Sequence, residues 1–361
     1  MLTAALVIAI LVFLIVVHEV GHFIAAKIFG VRVDEFGIGY PPRAYRIGRW
    51  GGTEYTLNWI PFGGFVRLFG EDEGGEHGRG SLVDSARWKQ ALILIAGVSM
   101  NAVAAWVLFS GAYMTGILHP VEEPVAGSWL VVSDVVAGSP ASAAGIHRGD
   151  EILGVEDSDL QSLTTLSPEA VTEFVGSRPG EELVLRYKRN GEMTEVGLRP
   201  AHGVVEEDAG RAAIGIGLVL VTAEALSLKA AIVEGWYQTL GTFAVVGSGI
   251  WTLFKDALTG APNLKDVVGP VGLVGIVGEA AQSGWGYVLS LAAFISVNLA
   301  IINMIPIPAL DGGRLVVVGV ESVLRRRAPK LALQSLNTLG VALIILLMVT
   351  VTYNDIARLI A

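Results

Sequence analysis

The sequence predicts a membrane α-helical protein with four transmembrane helices, an inserted α+β domain and a membrane-associated β-hairpin. Three observations carry that reading. Of 361 residues, 52% are hydrophobic. Four separate apolar runs approach or reach the roughly 20 residues that cross a bilayer core at 1.5 Å rise per residue. The net charge of −9 is also segregated: between His119 and Leu228, 18 Asp/Glu stand against 7 Lys/Arg, while the remainder is slightly basic. An acidic insert on such a body gives no basis for nucleic-acid binding. With no cysteine in the chain, any metal must be held by His, Asp or Glu.

The first span opens at Leu2, and up to Val17 only Thr3 is not plainly apolar. It lacks a basic leader and a small-residue cleavage site, so it reads as a retained helix rather than a removed signal peptide. Near its far end come His18, Glu19, Val20, Gly21 and His22. On a helix, His18 and His22 share one face and can hold one Zn²⁺ together. Glu19 is one step round, where a general base for water at the metal belongs. A chance match is the plain alternative, but ionisable groups inside a membrane segment are costly without a function.

A polar loop follows, from Lys27 to Lys89, with nine Lys/Arg. Within it, Glu54 to Phe69 is rich in strand formers and broken at Pro61 and Gly63-Gly64, which predicts a hairpin with an apolar tip. Asp72 to Gly80 is acidic and Gly-rich and reads as poorly ordered. The second span, Ala91 to Leu118, carries Asn101 among small residues suited to close helix packing. That asparagine reads as a helix–helix hydrogen bond with a minor role in the site. Together these form the first predicted region, 1–118.

The second region, 127–200, is the soluble module. A strand (Trp129 to Val136) leads into Ser139-Pro140-Ala141 and a short helix. Arg148-Gly149-Asp150 then turns into another strand, and a helix follows from Pro168. Two strands joined at Asn190-Gly191 complete it. The run SPASAAGIHRGDEIL resembles the signature of bacterial PDZ domains, which bind extended peptides by adding a strand to a sheet edge. A peptide ligand of this module is the implied partner.

Residues 201–285 read as a linker with a membrane-associated amphipathic segment at Ala230 to Phe254, followed by a polar stretch, Lys255 to Asp266. The last region, 286–361, holds span three (Gly286 to Ile305) and span four (Leu336 to Tyr353). Five Lys/Arg lie between these spans and nine between spans one and two, which places both loops in the cytoplasm and the acidic module outside. His18, His22 and Asp311 then share the cytoplasmic side, provided that 230–254 lies in or dips into the outer leaflet without crossing. Asp311 follows a Pro-broken helix and precedes Gly312-Gly313. It is the best third ligand on offer, and an ordinary turn aspartate is the alternative.

Taken together, the His18 to His22 motif, the PDZ-like module and Asn298 to Gly313 (NLAIINMIPIPALDGG) resemble the site-2 protease family, most closely its bacterial regulator-of-sigma-E type. The resemblance runs through most of the chain and implies an intramembrane zinc metalloprotease. It implies His18, His22 and Asp311 as zinc ligands, Glu19 as catalytic base, and Asn303 and Asn298 near the substrate. Phe62-Gly63-Gly64-Phe65 matches that family's membrane-inserted β-loop, so Gly63, Gly64 and Phe65 become candidate substrate contacts. The implied substrates are single-span membrane proteins such as anti-sigma factors or signal peptide remnants. The chain departs from the pattern in having one PDZ-like module where many relatives have two, and Arg314 where a His is common. A non-catalytic PDZ-containing scaffold is the rival reading. A metal transporter is a third, disfavoured because spans two and four carry no ionisable residue in their interiors.

Overall fold

Helix length and apolarity set the larger of two units. The computed structural model describes residues 2–71, 78–125, 127–159, 161–163, 165–204, 210–259 and 268–360. Most of the acidic, Gly-rich stretch from Asp72 and much of the polar segment before Asp266 lie outside the described residues. One unit comprises Met1–Thr115 with Leu226–Ala361, the other Gly116–Ala225.

In the first unit, four helices are long and apolar enough to cross a membrane: α1 (Leu2–Ile28), α2 (Arg87–Tyr113), α7 (Trp285–Met304) and α9 (Lys330–Ile360). Small residues let them approach closely. A Cβ at Gly21 would run into the Ala96 carbonyl, so α1 and α2 touch backbone to backbone there. The two helices are antiparallel, His18 lying opposite Asn101 and Leu108 packing with Val7 and Ile10. Helix α7 runs antiparallel to α2 in turn, with Leu289 at Gly111 and Ser296 Oγ donating to the Asn101 carbonyl at 2.8 Å. Thr3, Tyr113 and Trp285 therefore share one end of the bundle.

Helix α5 (Leu228–Leu258) begins at that end, where Leu226 N–H donates to the Tyr113 carbonyl at 3.0 Å. The next helix, α6 (Pro270–Ser283), begins beside Asp355, whose carboxylate accepts from the Gly269 and Gly272 amides at 3.1 and 2.8 Å. Gly340 of α9 abuts Pro308 at the opposite end of the bundle from Tyr113. Helix α5 packs into the bundle, where Val246 lies with Ala105, Phe109, Ala293 and Val297 of α2 and α7.

The hairpin differs from the sequence expectation. It is formed by β1 (Val33–Trp50) and β2 (Thr53–Leu68), and its turn is Gly51-Gly52, both at positive φ. Pro61 to Gly64 is instead a bend inside β2, which carries the second half of that strand round to the far side of β1. Phe36 accordingly pairs with Tyr55 on one side and Val66 on the other. Residues 33–50 carry no clear strand signal in the sequence because Gly37, Gly39 and Pro41-Pro42 interrupt their pattern.

After α7 the chain cannot stay helical through Pro306 and Pro308. It folds back into α8 (Asp311–Leu324), and Cβ atoms at Gly312 or Gly313 would collide with the carbonyls of Met304, Ile305 and Ile307. Ion pairs of Arg314 with Glu71, Arg87 with Glu321 and Arg327 with Asp84 tie α8 and the segment after it to the loop between α1 and α2 and the start of α2.

The second unit is a six-stranded antiparallel sheet, ordered β3 (His119–Pro120), β8 (Ile216–Thr222), β4 (Trp129–Val135), β5 (Glu151–Glu156), β6 (Leu183–Arg189) and β7 (Glu192–Leu198). Two helices, α3 (Pro140–Ala143) and α4 (Pro168–Gly176), start at Ser139 and Ser167, whose hydroxyls cap them. The unit exceeds the expected 127–200, because β3 and β8 complete the sheet beside β4; part of the expected linker is therefore strand. Leu130, Val132, Ile152, Leu183 and Leu185 form its core with Phe174.

Asp150, 1% exposed, accepts two hydrogen bonds from Arg189 at 2.7 Å and one from the His147 amide at 2.8 Å. Burial pushes its carboxyl up, but Arg189 and the His147 amide more than offset this and hold it below the ordinary carboxylate value. A lowered folded-state value means stabilisation complete above about pH 4 and lost as pH falls through that folded value. Arg189→Ala is expected to cost this unit about 2 kcal/mol at pH 7, a midpoint lower by about 8–16 °C. The deficit should shrink in acid. Thermal unfolding of both proteins at pH 7 and pH 3 checks this, and an unchanged midpoint at pH 7 would count against it.

Candidate metal centre

Three donor atoms converge at the end of the bundle away from Thr3. His18 and His22 come from α1, one turn apart, and Asp311 arrives as the first residue of α8. His18 Nε2 lies 2.9 Å and His22 Nε2 3.2 Å from Asp311 Oδ2, and the two Nε2 atoms are 3.1 Å apart. Both imidazoles are buried and the aspartate nearly so.

These separations suit one small cation. Tetrahedral ligation at about 2.0–2.1 Å sets neighbouring donors about 3.3–3.4 Å apart. Two imidazole nitrogens and one carboxylate oxygen, with a fourth position open, make a donor set of the kind used by hydrolytic zinc sites. Among the described residues this is the one cluster of three or more such groups within metal-binding reach.

The surroundings orient the rings. His22 Nδ1 donates to the Ile93 carbonyl at 2.8 Å, which leaves the Nε2 lone pair facing Asp311. His18 Nδ1 faces the Asn101 amide nitrogen at 3.3 Å. Glu19 Oε2 accepts from the Val66 amide of β2 at 3.0 Å, so the hairpin reaches the site through its edge backbone. Gly64 sits between the Gly37 carbonyl and the Glu19 stem.

Gly97 of α2 is a site residue that the sequence reading passed over. A Cβ there would lie 2.5 Å from His22 Nε2 and 2.8 Å from His18 Cε1. Gly97 and Asn101 are four apart on α2, as the two histidines are on α1, and that matched spacing was the available signal. Gly97→Ala should displace both rings and weaken zinc affinity about 10–100-fold, the equivalent of about 1–3 kcal/mol of overpacking. Chelator competition measures it, and a variant with wild-type affinity would show that the rings have room to spare.

The remaining candidates are placed less centrally. Gly63 and Gly64 are buried and Phe65 is half-buried, its ring stacked on Tyr40 with centroids 6.4 Å apart. Asn298 spends its amide on the Phe294 carbonyl of its own helix at 2.8 Å. Asn303 is half-buried and makes no side-chain hydrogen bond among the described residues. Neither asparagine is hydrogen-bonded to the cluster. Arg314, where the resemblance expects a His, pairs with Glu71.

Comparison with known proteins covers nearly the whole chain. A family model described as peptidase family M50 matches residues 6–347. A Clostridium perfringens protein named among the zinc metalloproteases is 34% identical over 344 residues, 95% of each chain. The zinc metalloprotease RasP of Geobacillus kaustophilus is 26% identical over 425 residues, 96% of this chain and 95% of its own. Among solved structures, the PDZ domain of an SdrC-like protein from Listeria monocytogenes is 20% identical, covering 27% of this chain and 93% of that one, with a TM-score of 0.21. On the breadth of the family match and the 34% identity, the chain belongs to peptidase family M50 and is a metalloprotease.

Proposed function

We propose that this chain is a zinc-dependent intramembrane protease that hydrolyses a peptide bond in the transmembrane segment of single-span membrane proteins, such as anti-sigma factors or signal peptide remnants. The observation that carries the reading is the meeting of His18, His22 and Asp311 at the end of apolar helices long enough to span a bilayer. In this reading they hold the zinc ion, and the site opens toward the cytoplasm. Zinc, when bound, supplies Lewis acidity that polarises the scissile carbonyl and acidifies water. Glu19 takes the proton from the attacking water. It then returns that proton to the leaving amine as the C–N bond breaks.

Glu19 is held for this by Val66, whose amide fixes one carboxylate oxygen. The same strand edge, Gly64 to Val66, is the place for an extended substrate segment to add backbone hydrogen bonds, beside the base. Gly63, Gly64 and Phe65 are the proposed contacts there, with Asn303 and Asn298 on α7. A substrate helix must unwind to reach that edge, so helix-weakening residues near the scissile bond speed cleavage. The PDZ-like unit is the proposed peptide-binding module on the extracytoplasmic side.

The test is reconstitution in lipid vesicles with a model single-span substrate. Cleavage inside the apolar segment, lost on chelation and restored by zinc, is the expected result. Cleavage confined to the soluble flanks would refute the intramembrane assignment. No cleavage of any substrate, with peptide capture by the PDZ-like unit intact, favours the scaffold reading.

A further inference from the structure

Asn101 has no exposed surface, and its side-chain oxygen is a buried acceptor with no hydrogen-bond partner. Its amide nitrogen faces His18 Nδ1 at 3.3 Å. The two ring systems of the cluster are therefore served differently. The Ile93 carbonyl can only accept, so it fixes one tautomer of His22. An asparagine amide can donate or accept, depending on a half-turn about its Cβ–Cγ bond. With the nitrogen forward, it donates to His18 Nδ1, and the ring proton sits on Nε2, 2.9 Å from Asp311 Oδ2. A histidine that ligates a cation through Nε2 must instead carry its proton on Nδ1. Among the described residues Asn101 is the side chain facing His18 Nδ1, and its oxygen, the atom able to receive that proton's hydrogen bond, stands unpartnered.

From this arrangement we infer that Asn101 is a positioning residue whose side-chain oxygen accepts the His18 Nδ1–H and holds the ring with Nε2 toward the metal. The inference rests on the zinc reading of the cluster. Asn101 acts through His18 and touches neither zinc nor substrate. Its other hydrogen bond, from Ser296 Oγ to its main-chain carbonyl at 2.8 Å, belongs to the α2–α7 contact and supplies an internal control.

The experiment measures zinc affinity by chelator competition, and the visible absorption of the cobalt-loaded protein, for full-length wild type and three variants. Asn101→Leu keeps the volume and removes the acceptor, and zinc should bind about 10–100-fold more weakly. Asn101→Asp keeps an acceptor on the same stem and should bind at least as tightly as wild type. Ser296→Ala weakens the helix contact alone and should bind within about twofold. The cobalt bands should shift in Asn101→Leu and stay in place in Ser296→Ala. Where Asn101→Leu does not purify as a folded protein, Asn101→Ala gives the same reading. Equal affinity of wild type and Asn101→Leu overturns the inference. So does an equal loss in Asn101→Leu, Asn101→Asp and Ser296→Ala, which would mark a packing role. Failure of the wild type itself to take up zinc would instead strike the metal reading.

Discussion

Glu19→Gln keeps zinc and loses cleavage, with kcat lower by about 10²–10⁴-fold. The expectation follows from what the substitution leaves intact. Glutamine matches the shape of glutamate, and its side-chain oxygen can still accept the Val66 amide that holds Glu19 Oε2 at 3.0 Å. The hairpin edge therefore stays in place, and so do the three converging donors. What disappears is a group able to take a proton from water and return it to the departing amine. Substrate binding should change little, so the loss should fall on kcat, with KM nearly constant. Single-turnover cleavage of a reconstituted substrate, with zinc content measured on the same samples, separates the two effects. Proteolysis at wild-type rate in the zinc-loaded variant would exclude Glu19 as the base. Zinc loss alongside activity loss would show that Glu19 supports the metal as well.

Much of this architecture could be read from the residues, for physical reasons that differ by element. A membrane helix announces itself by a long unbroken apolar run, and all four predicted spans coincide with helices long and apolar enough to cross. The i, i+4 spacing of His18 and His22 is local, so a helix alone brings their rings together. Asp311 was harder, because 293 residues separate it from His18. The residues alone make it the best third ligand on offer with an ordinary turn aspartate as the alternative, and the resemblance then implies the ligand role.

The errors share another cause. The strongest breakers, Pro61 and Gly63-Gly64, predict the hairpin turn, although Gly51-Gly52 makes it and the later glycines bend one long strand. The pattern ends the soluble unit at Pro200, because the segment beyond it has the composition of a linker. Strand β8 is recruited across the sheet from Ile216–Thr222, and no local pattern states its pairing with β4. Gly97 carries no side chain to advertise a role. Its importance lies in the two imidazoles it makes room for, which becomes visible only when α1 and α2 are side by side.

Asp311→Ala is the other large effect. In the proposed reading the carboxylate is one of three zinc donors in a site whose fourth position stays open, so no neighbour replaces it without closing the site to water. Its removal should weaken zinc binding by more than the roughly 10–100-fold typical of losing an outer hydrogen bond to a ligand. The change sits at the first position of α8, held by the packing of Gly312 and Gly313 against the preceding turn, so the bundle itself should persist. Zinc content of the purified, monodisperse variant beside the wild type is the decisive measurement. The arrangement described here predicts about one zinc per wild-type chain and almost none with Asp311→Ala. Equal zinc in both would contradict it, because the ion would then be held without the residue that joins the last half of the chain to the first.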